Sequence, residues 1–360
     1  MPSQMEKENQ SPPQSPELRL VAWEVTRQCN LSCLHCRASA EFGPYPDELS
    51  TAEGLRLLDQ IREVGQPVVI LTGGEPLLHL NIFELARYGH SMGLRMVMAV
   101  NGTLLNIEKA QKLKESGIQR ISISMDGASA ESHDFFRQVR GAFKGILKGI
   151  EAARAVDLEF QINTTVTRYN LHELPLIQEK VIELGAAAHH IFMLVPTGRG
   201  RSLTDQTISA EEYEKTLTWL VKQKEEIPLS IKATCAPHYY RILREIARKE
   251  GKEITFKSHG LDAVTRGCLG GVGFCFVSHV GLVQPCGYLE INSGNIRKQT
   301  FREIWESSPI FLALRDQTQY SGKCGYCEYF RVCGGCRARS FEATGNFLDE
   351  EPFCTYQPKK

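Results

Sequence analysis

The residues most able to do chemistry in this 360-residue chain are its twelve cysteines, because they are grouped rather than scattered. Cys29, Cys33 and Cys36 share one short stretch, and none follows until Cys235. Then come Cys268, Cys275, Cys286, Cys324, Cys327, Cys333, Cys336 and Cys354. A cysteine used as a small core hydrophobe can stand anywhere, so a tight group at each end argues against burial alone. In a reducing compartment, grouped thiols read as metal ligands or redox groups before disulfides. On spacing alone a Cys-x2-Cys pair such as Cys324 and Cys327 suits tetrahedral zinc as well as an iron–sulfur cluster.

The reducing compartment is an expectation from the N-terminus. Residues 1–17 read MPSQMEKENQSPPQSPE, polar and proline-rich, without the apolar stretch of a secretion signal. A disordered lead-in and a cytoplasmic location follow. The 42 Lys and Arg balance the 42 Asp and Glu. Without a single-sign field, neither nucleic acid nor an anionic membrane is the expected partner. No apolar run reaches the roughly 18–20 residues a membrane helix needs.

The elements that must position these cysteines alternate. Apolar runs at residues 18–25, 68–71, 94–100, 120–125, 159–165 and 190–195 predict strands. Helical patterns fall between them at residues 51–64, 82–92, 107–116, 142–155 and 174–184, with Asp47, Ser50 and Thr51 as capping candidates for the first. Strand–helix repeats at this spacing imply parallel strands, in an α/β partial (β/α)6 TIM-like barrel with a C-terminal cysteine-rich extension. In such sheets ligands meet the C-terminal strand ends. Here those ends carry Gly73-Gly74-Glu75, Asn101, Ser124 with Asp126, Asn163 and Thr197.

Cys29-x3-Cys33-x2-Cys36, directly after the first strand, resembles the signature of the radical S-adenosylmethionine (SAM) superfamily. Three thiolates on one loop can hold three irons of a [4Fe-4S] cluster, and most protein clusters have four cysteine ligands. The resemblance implies that SAM chelates the open iron and is cleaved to a 5′-deoxyadenosyl radical. It also implies that His35 packs near the adenine and that Gly73, Gly74 and Glu75 receive the amino group. Asn101, Ser124, Asp126 and Asn163 match strand ends used for ribose and carboxylate. Arg137 is the candidate to grip the carboxylate, with Arg140 its rival.

The second group resembles the SPASM extension of some of these enzymes. Cys268, Gly281 and Cys286 fit its first part and Cys324-x2-Cys327-x5-Cys333 its next; only two residues then precede Cys336, where the family has three. The family pattern implies one auxiliary cluster on Cys268, Cys275, Cys286 and Cys336, and another on Cys324, Cys327, Cys333 and Cys354. Cys235 is left over, and the shortened gap leaves a single auxiliary cluster open. The implied segments are a barrel over 18–205, a linker contributing to the substrate site over 206–259, and the cluster domain over 260–360.

Residues 232–241 (KATCAPHYYR), 265–271 (TRGCLGG) and 332–339 (VCGGCRAR) look like the tetrapyrrole branch of these enzymes, and most like the heme b synthases of the siroheme-dependent pathway. That branch implies an iron tetrapyrrole substrate, a low-potential electron donor and an electron acceptor. The reaction it implies is oxidative decarboxylation of two propionates of iron-coproporphyrin III to vinyls. His238 is then the candidate axial ligand, with Tyr239 and Arg241 beside it; Arg199 and Arg201 would pair with propionates. A sister enzyme removing acetates from didecarboxysiroheme, one on the heme d1 branch, and a SPASM peptide maturase are the alternatives. The maturase normally brings an N-terminal peptide-binding wing, for which the lead-in leaves no room.

Overall fold

A computed structural model describes residues 16–359; the lead-in expected over residues 1–17 lies almost wholly outside the described residues. The six expected strands form close to their expected bounds: β1 (Leu20–Thr26), β2 (Val68–Gly73), β3 (Arg95–Val100), β4 (Ile118–Ser124), β5 (Phe160–Val166) and β6 (Ala188–Met193). Each pairs in parallel with the next. Their crossovers carry α1 (Thr51–Val64), α2 (Ile82–Ser91), α3 (Ile107–Glu115), α4 (Ala130–Arg137), α5 (Ala142–Ala155) and α6 (Leu174–Glu183). Ser50 starts α1 through a reciprocal capping box with Glu53.

The sheet is wider than six strands. β7 (Ser230–Thr234) adds in parallel beside β6, and β8 (Phe274–Val277) adds in parallel beside β1. β9 (Leu282–Gln284) and β10 (Gly294–Asn295) continue antiparallel from β8, and β7 and β10 are the two ends of the strand order, so the barrel stays open. The sequence hides β7 and β8 because both are short and neither alternates cleanly over enough residues. One sheet therefore takes strands from all three expected segments.

Strand alternation separates two faces. Val21, Trp23, Val69, Leu71, Ile121, Ile123 and Ile162 pack outward against Leu57, Leu58 and Ile61 of α1 and Ile146 and Ile150 of α5. Each such side chain fully buried contributes roughly 2 kcal/mol. Beyond β6, Ile191, Met193, Ile231 and Ala233 pack on α7 (Ala210–Glu226) and α8 (His238–Lys249). The opposite, inner face carries Glu24, Thr72, Ser122, Ser124, Gln161, Asn163, His190 and Lys232 beside apolar Ala22, Ile70, Val97, Ala99 and Phe192. No helix among the described residues is long and apolar enough to cross a membrane.

Candidate active site

The loop between β1 and α1 carries Cys29, Cys33 and Cys36, the first two buried. It is pinned to α4, since Leu34 N–H donates to the Phe136 carbonyl at 3.0 Å and Ser32 N–H to that of Arg137 at 3.3 Å. Donors surround the sulfurs: Leu31 N–H reaches Cys29 Sγ at 3.4 Å, Ala40 N–H reaches Cys36 Sγ at 3.4 Å, and Arg137 Nη1 reaches Cys33 Sγ at 3.5 Å. Burial pushes the Cys29 thiol up to about 12 and raises Cys33 as well. Three adjacent thiols, two of them buried, ionise together only with positive charge among them, which a metal cluster supplies. Among the described residues no three His, Cys, Asp or Glu side chains close tightly enough around one point to hold a single metal ion. The fit to a cluster rests on the donor set and on buried nitrogens left without partners: His35 Nδ1, Arg137 Nε and Arg199 Nη2.

Gly73 and Gly74 end β2 against the cysteine loop. A Cβ on Gly73 would collide with the Thr26 carbonyl, and one on Gly74 with the carbonyls of Arg27 and Gln28. Glycine is thus demanded here by the close approach of the chain entering the loop. Glu75 is sealed, its carboxylate accepting from Asn101 N–H at 2.6 Å and Leu77 N–H at 3.0 Å. It ties the ends of β2 and β3 together, and burial raises its pKa to about 7. Asn101 turns its amide to Asn30 Oδ1 at 2.8 Å, with Cys29 Sγ 3.9 Å away. Ser124 and Asn163 are register partners, half-buried on the inner face.

Arg137 does not present a free fork. It is buried, with Nη2 paired to Asp126 and Nη1 on Cys33 Sγ. Asp126 also accepts from Thr165 N–H at 2.7 Å. The His35 ring lies on Phe136 with centroids 4.5 Å apart, its Nε2 3.9 Å from Asp126. Both expected carboxylate contacts are engaged with one another.

The expected substrate residues are placed elsewhere. Arg199 locks the cysteine loop, donating from Nε to the Cys33 carbonyl at 2.9 Å and from Nη1 to that of Ala40 at 2.7 Å. Arg201 is exposed and forks onto Glu342 at 2.9 and 3.1 Å. His238 is sealed against the Tyr213 ring, and Arg241 is buried between Glu214 and Glu245. Tyr239 is buried on the outer side against α7. All five are thus engaged with protein groups, and His238, Tyr239 and Arg241 look like a ligand motif in sequence because the first turn of α8 is rich in His, Tyr and Arg. The inner face carries His190 and Lys232, adjacent in register on β6 and β7. Gln161 Nε2 contacts His190 Nδ1 at 2.9 Å and donates to Asn163 Oδ1 at 3.0 Å. Lys232 is open to solvent yet crowded by protein, so desolvation lowers its pKa, as expected inside an open cavity.

Two more thiol groups form. Cys324, Cys327, Cys333 and Cys354 line a cavity together with His238 and Arg241. Arg337 Nη2 lies 3.7 Å and Glu351 N–H 3.5 Å from Cys324 Sγ. The other group gathers Cys268, Cys286 and Cys336, where Tyr288 N–H reaches Cys286 Sγ at 3.3 Å. Cys275 is not with them. It points from β8 into the outer core with Val277, Trp305 and Phe311, and Cys235 stands with the group instead. The two-residue gap after Cys333 is spanned by Gly334 and Gly335 at φ +78° and +60°, which turn the chain from one group to the other. Tyr288 is within electrostatic reach of Cys235 and Cys286 on one side and of Arg37 and Cys36 of the first loop on the other. Arg37 is fixed over the Phe276 ring at 4.4 Å and paired with buried Glu24 at 3.0 Å.

Comparison with known proteins agrees with this geometry. Residues 23–181 match the radical SAM superfamily and residues 268–337 the SPASM iron–sulfur cluster-binding domain. The chain is 55% identical to the AdoMet-dependent heme synthase of Oleidesulfovibrio alaskensis, covering 96% of this chain and 89% of that one. It is 53% identical to the AdoMet-dependent heme synthase of Methanosarcina barkeri, covering 95% and 97%. To the Fe-coproporphyrin III synthase of Methanosarcina barkeri it is 30% identical, covering 93% and 87%. The fold is similar to that of Streptococcus suis SuiB bound to S-adenosylmethionine, with TM-score 0.73, 16% identity, and 95% and 78% coverage. At that identity the likeness is one of fold alone.

Proposed function

The chain belongs to the radical SAM/SPASM enzymes, in the family of the AdoMet-dependent heme synthases, and on that premise we propose that it oxidatively decarboxylates two propionates of iron-coproporphyrin III to vinyls, giving heme b. The observation that carries this reading is the margin between 53–55% identity to the heme synthases and 30% to the Fe-coproporphyrin III synthase. Its cofactors are S-adenosylmethionine, the [4Fe-4S] cluster of the SAM site and auxiliary iron–sulfur centres. When bound they supply a 5′-deoxyadenosyl radical and an electron acceptor. For each propionate, a hydrogen atom leaves the β-carbon, the bond to the carboxylate breaks to release CO2, and one electron leaves the substrate.

The protein's part is placement. Cys29, Cys33 and Cys36 hold the SAM cluster, while Arg137 and Arg199 fix the loop that carries them. Ser124 and Asn163 stand half-buried at the strand ends that would meet SAM, Asn101 steadies Asn30 of the cysteine loop, and His35 with Phe136 offers a flat surface for its adenine. In the barrel interior, Lys232 would pair with a substrate carboxylate and His190 would offer its imidazole to the iron, tasks first expected of Arg199, Arg201 and His238.

The test is anaerobic incubation of reconstituted protein with SAM, a low-potential reductant and iron-coproporphyrin III, read by mass spectrometry. The expected result is two successive losses of CO2 plus two hydrogens, with 5′-deoxyadenosine. Deoxyadenosine without a change in porphyrin mass, together with turnover of didecarboxysiroheme, contradicts the substrate assignment.

A further inference from the structure

Cys235 follows β7 directly and has φ +54°, in the left-handed region that a side-chain-bearing residue adopts only when its surroundings enforce it. The enforcing contacts are visible. Its carbonyl accepts from Arg339 Nη2 at 2.6 Å and from the Tyr213 hydroxyl at 3.3 Å. Arg339 is sealed in an ion pair with Glu351 at 3.3 Å, and the other Glu351 oxygen accepts from Cys336 N–H at 2.6 Å. One buried network thus fixes the backbone at both Cys235 and Cys336.

The thiol turns into an apolar pocket formed by Val195, Leu289, Cys336 and Ala338, against which Cys286 also packs. All six pairings among the thiols of Cys235, Cys268, Cys286 and Cys336 lie within electrostatic reach. Cys275 has no thiol neighbour of this kind; the one charged group acting on it is Arg315. Opposite Val21 on the neighbouring strand, it faces the helices.

We infer that Cys235, from outside the SPASM pattern, is the fourth protein ligand of the cluster held by Cys268, Cys286 and Cys336, and that Cys275 is a core residue. The first auxiliary centre is then closed by four thiolates, and with Cys324, Cys327, Cys333 and Cys354 the chain holds two such centres. A closed centre has no open iron for substrate, so it accepts an electron across Tyr288 without ligating the tetrapyrrole; this last consequence rests on the proposed function.

The experiment compares Cys235→Ser and Cys275→Ala in the full chain, reconstituted anaerobically and assayed for iron, sulfide and Mössbauer and EPR spectra. Cys235→Ser is expected to lose one to about four irons per chain, or to give a three-iron signal after oxidation. Cys275→Ala is expected to keep the wild-type iron count and spectra. Because the readout is iron rather than turnover, it stands whatever the substrate proves to be. A full iron complement with unchanged spectra in Cys235→Ser overturns the inference. Loss of a cluster in Cys275→Ala also overturns it, and that arm needs no Cys235 variant to fold.

Discussion

The three-thiol loop and the group around Cys235 use the same chemistry but are built in opposite ways. Cys29, Cys33 and Cys36 come from one loop, and helix α4 and Arg199 brace it from outside. Cys235, Cys268, Cys286 and Cys336 come from four separate places: the end of β7, the approach to β8, the exit of β9 and the start of the helix at Arg337–Thr344. The loop is local, and its spacing alone specifies it. The second group exists only when the sheet has brought its edges together and Arg339 with Glu351 has fixed two of its members. Disturbing the loop should therefore abolish chemistry with little effect on the fold, whereas disturbing the second group should cost both.

The largest effect is expected from Cys33→Ala. 5′-Deoxyadenosine formation should fall to background while the iron of the two four-thiol groups stays, as iron analysis and a SAM-cleavage assay would read. Next is Arg339→Met, which leaves Glu351 as an unpaired buried charge. Breaking such a pair costs about 3–5 kcal/mol, so the melting temperature should drop and auxiliary iron should fall with it. Equal stability in this variant would erase the contrast between the two regions.

That contrast also explains what could be read from the residue order. The six strands, five of the helices and the SAM loop follow from periodicity and from spacing within a few residues, which short-range sterics enforce. Cys235 has no such signature. Its partners are far along the chain, and the strand it follows is too short to announce itself. Cys275 shows the converse, since its spacing matches a pattern while strand alternation turns it outward. The His238–Arg241 run has the residue types of a ligand motif, and the start of α8 buries it between α7 and the Cys324 group. Lys232 and His190 become neighbours only through the pairing of β6 and β7.

A pH measurement sharpens the comparison on the loop side. Burial works to raise the Glu24 pKa, but Arg37, His279 and Arg27 outweigh it and hold it at about 2, below the ordinary 4.5. A carboxylate lowered on folding stabilises above pH 4.5, and that contribution fades as pH falls towards 2, about 3 kcal/mol in all. Thermal melts should show the wild type losing more stability than Glu24→Gln across that window. Parallel curves would mean that the Glu24–Arg37 pair contributes no net stability.

Two smaller effects separate the interior from the surface. Lys232→Glu should weaken iron-coproporphyrin binding by roughly tenfold, about 1.4 kcal/mol, in an absorbance titration. Arg201→Ala should leave binding within about twofold and cost less than about 1 kcal/mol of stability, since its pair with Glu342 is exposed. A reversed order would return the propionates to the loop after β6.

The most direct test of the central claim uses iron-coproporphyrin III deuterated at the propionate β-carbons. Deoxyadenosine should gain one deuterium for each CO2 released, with heme b as the final porphyrin. Unlabelled deoxyadenosine accompanying heme b would show that the hydrogen is taken elsewhere and would contradict the account.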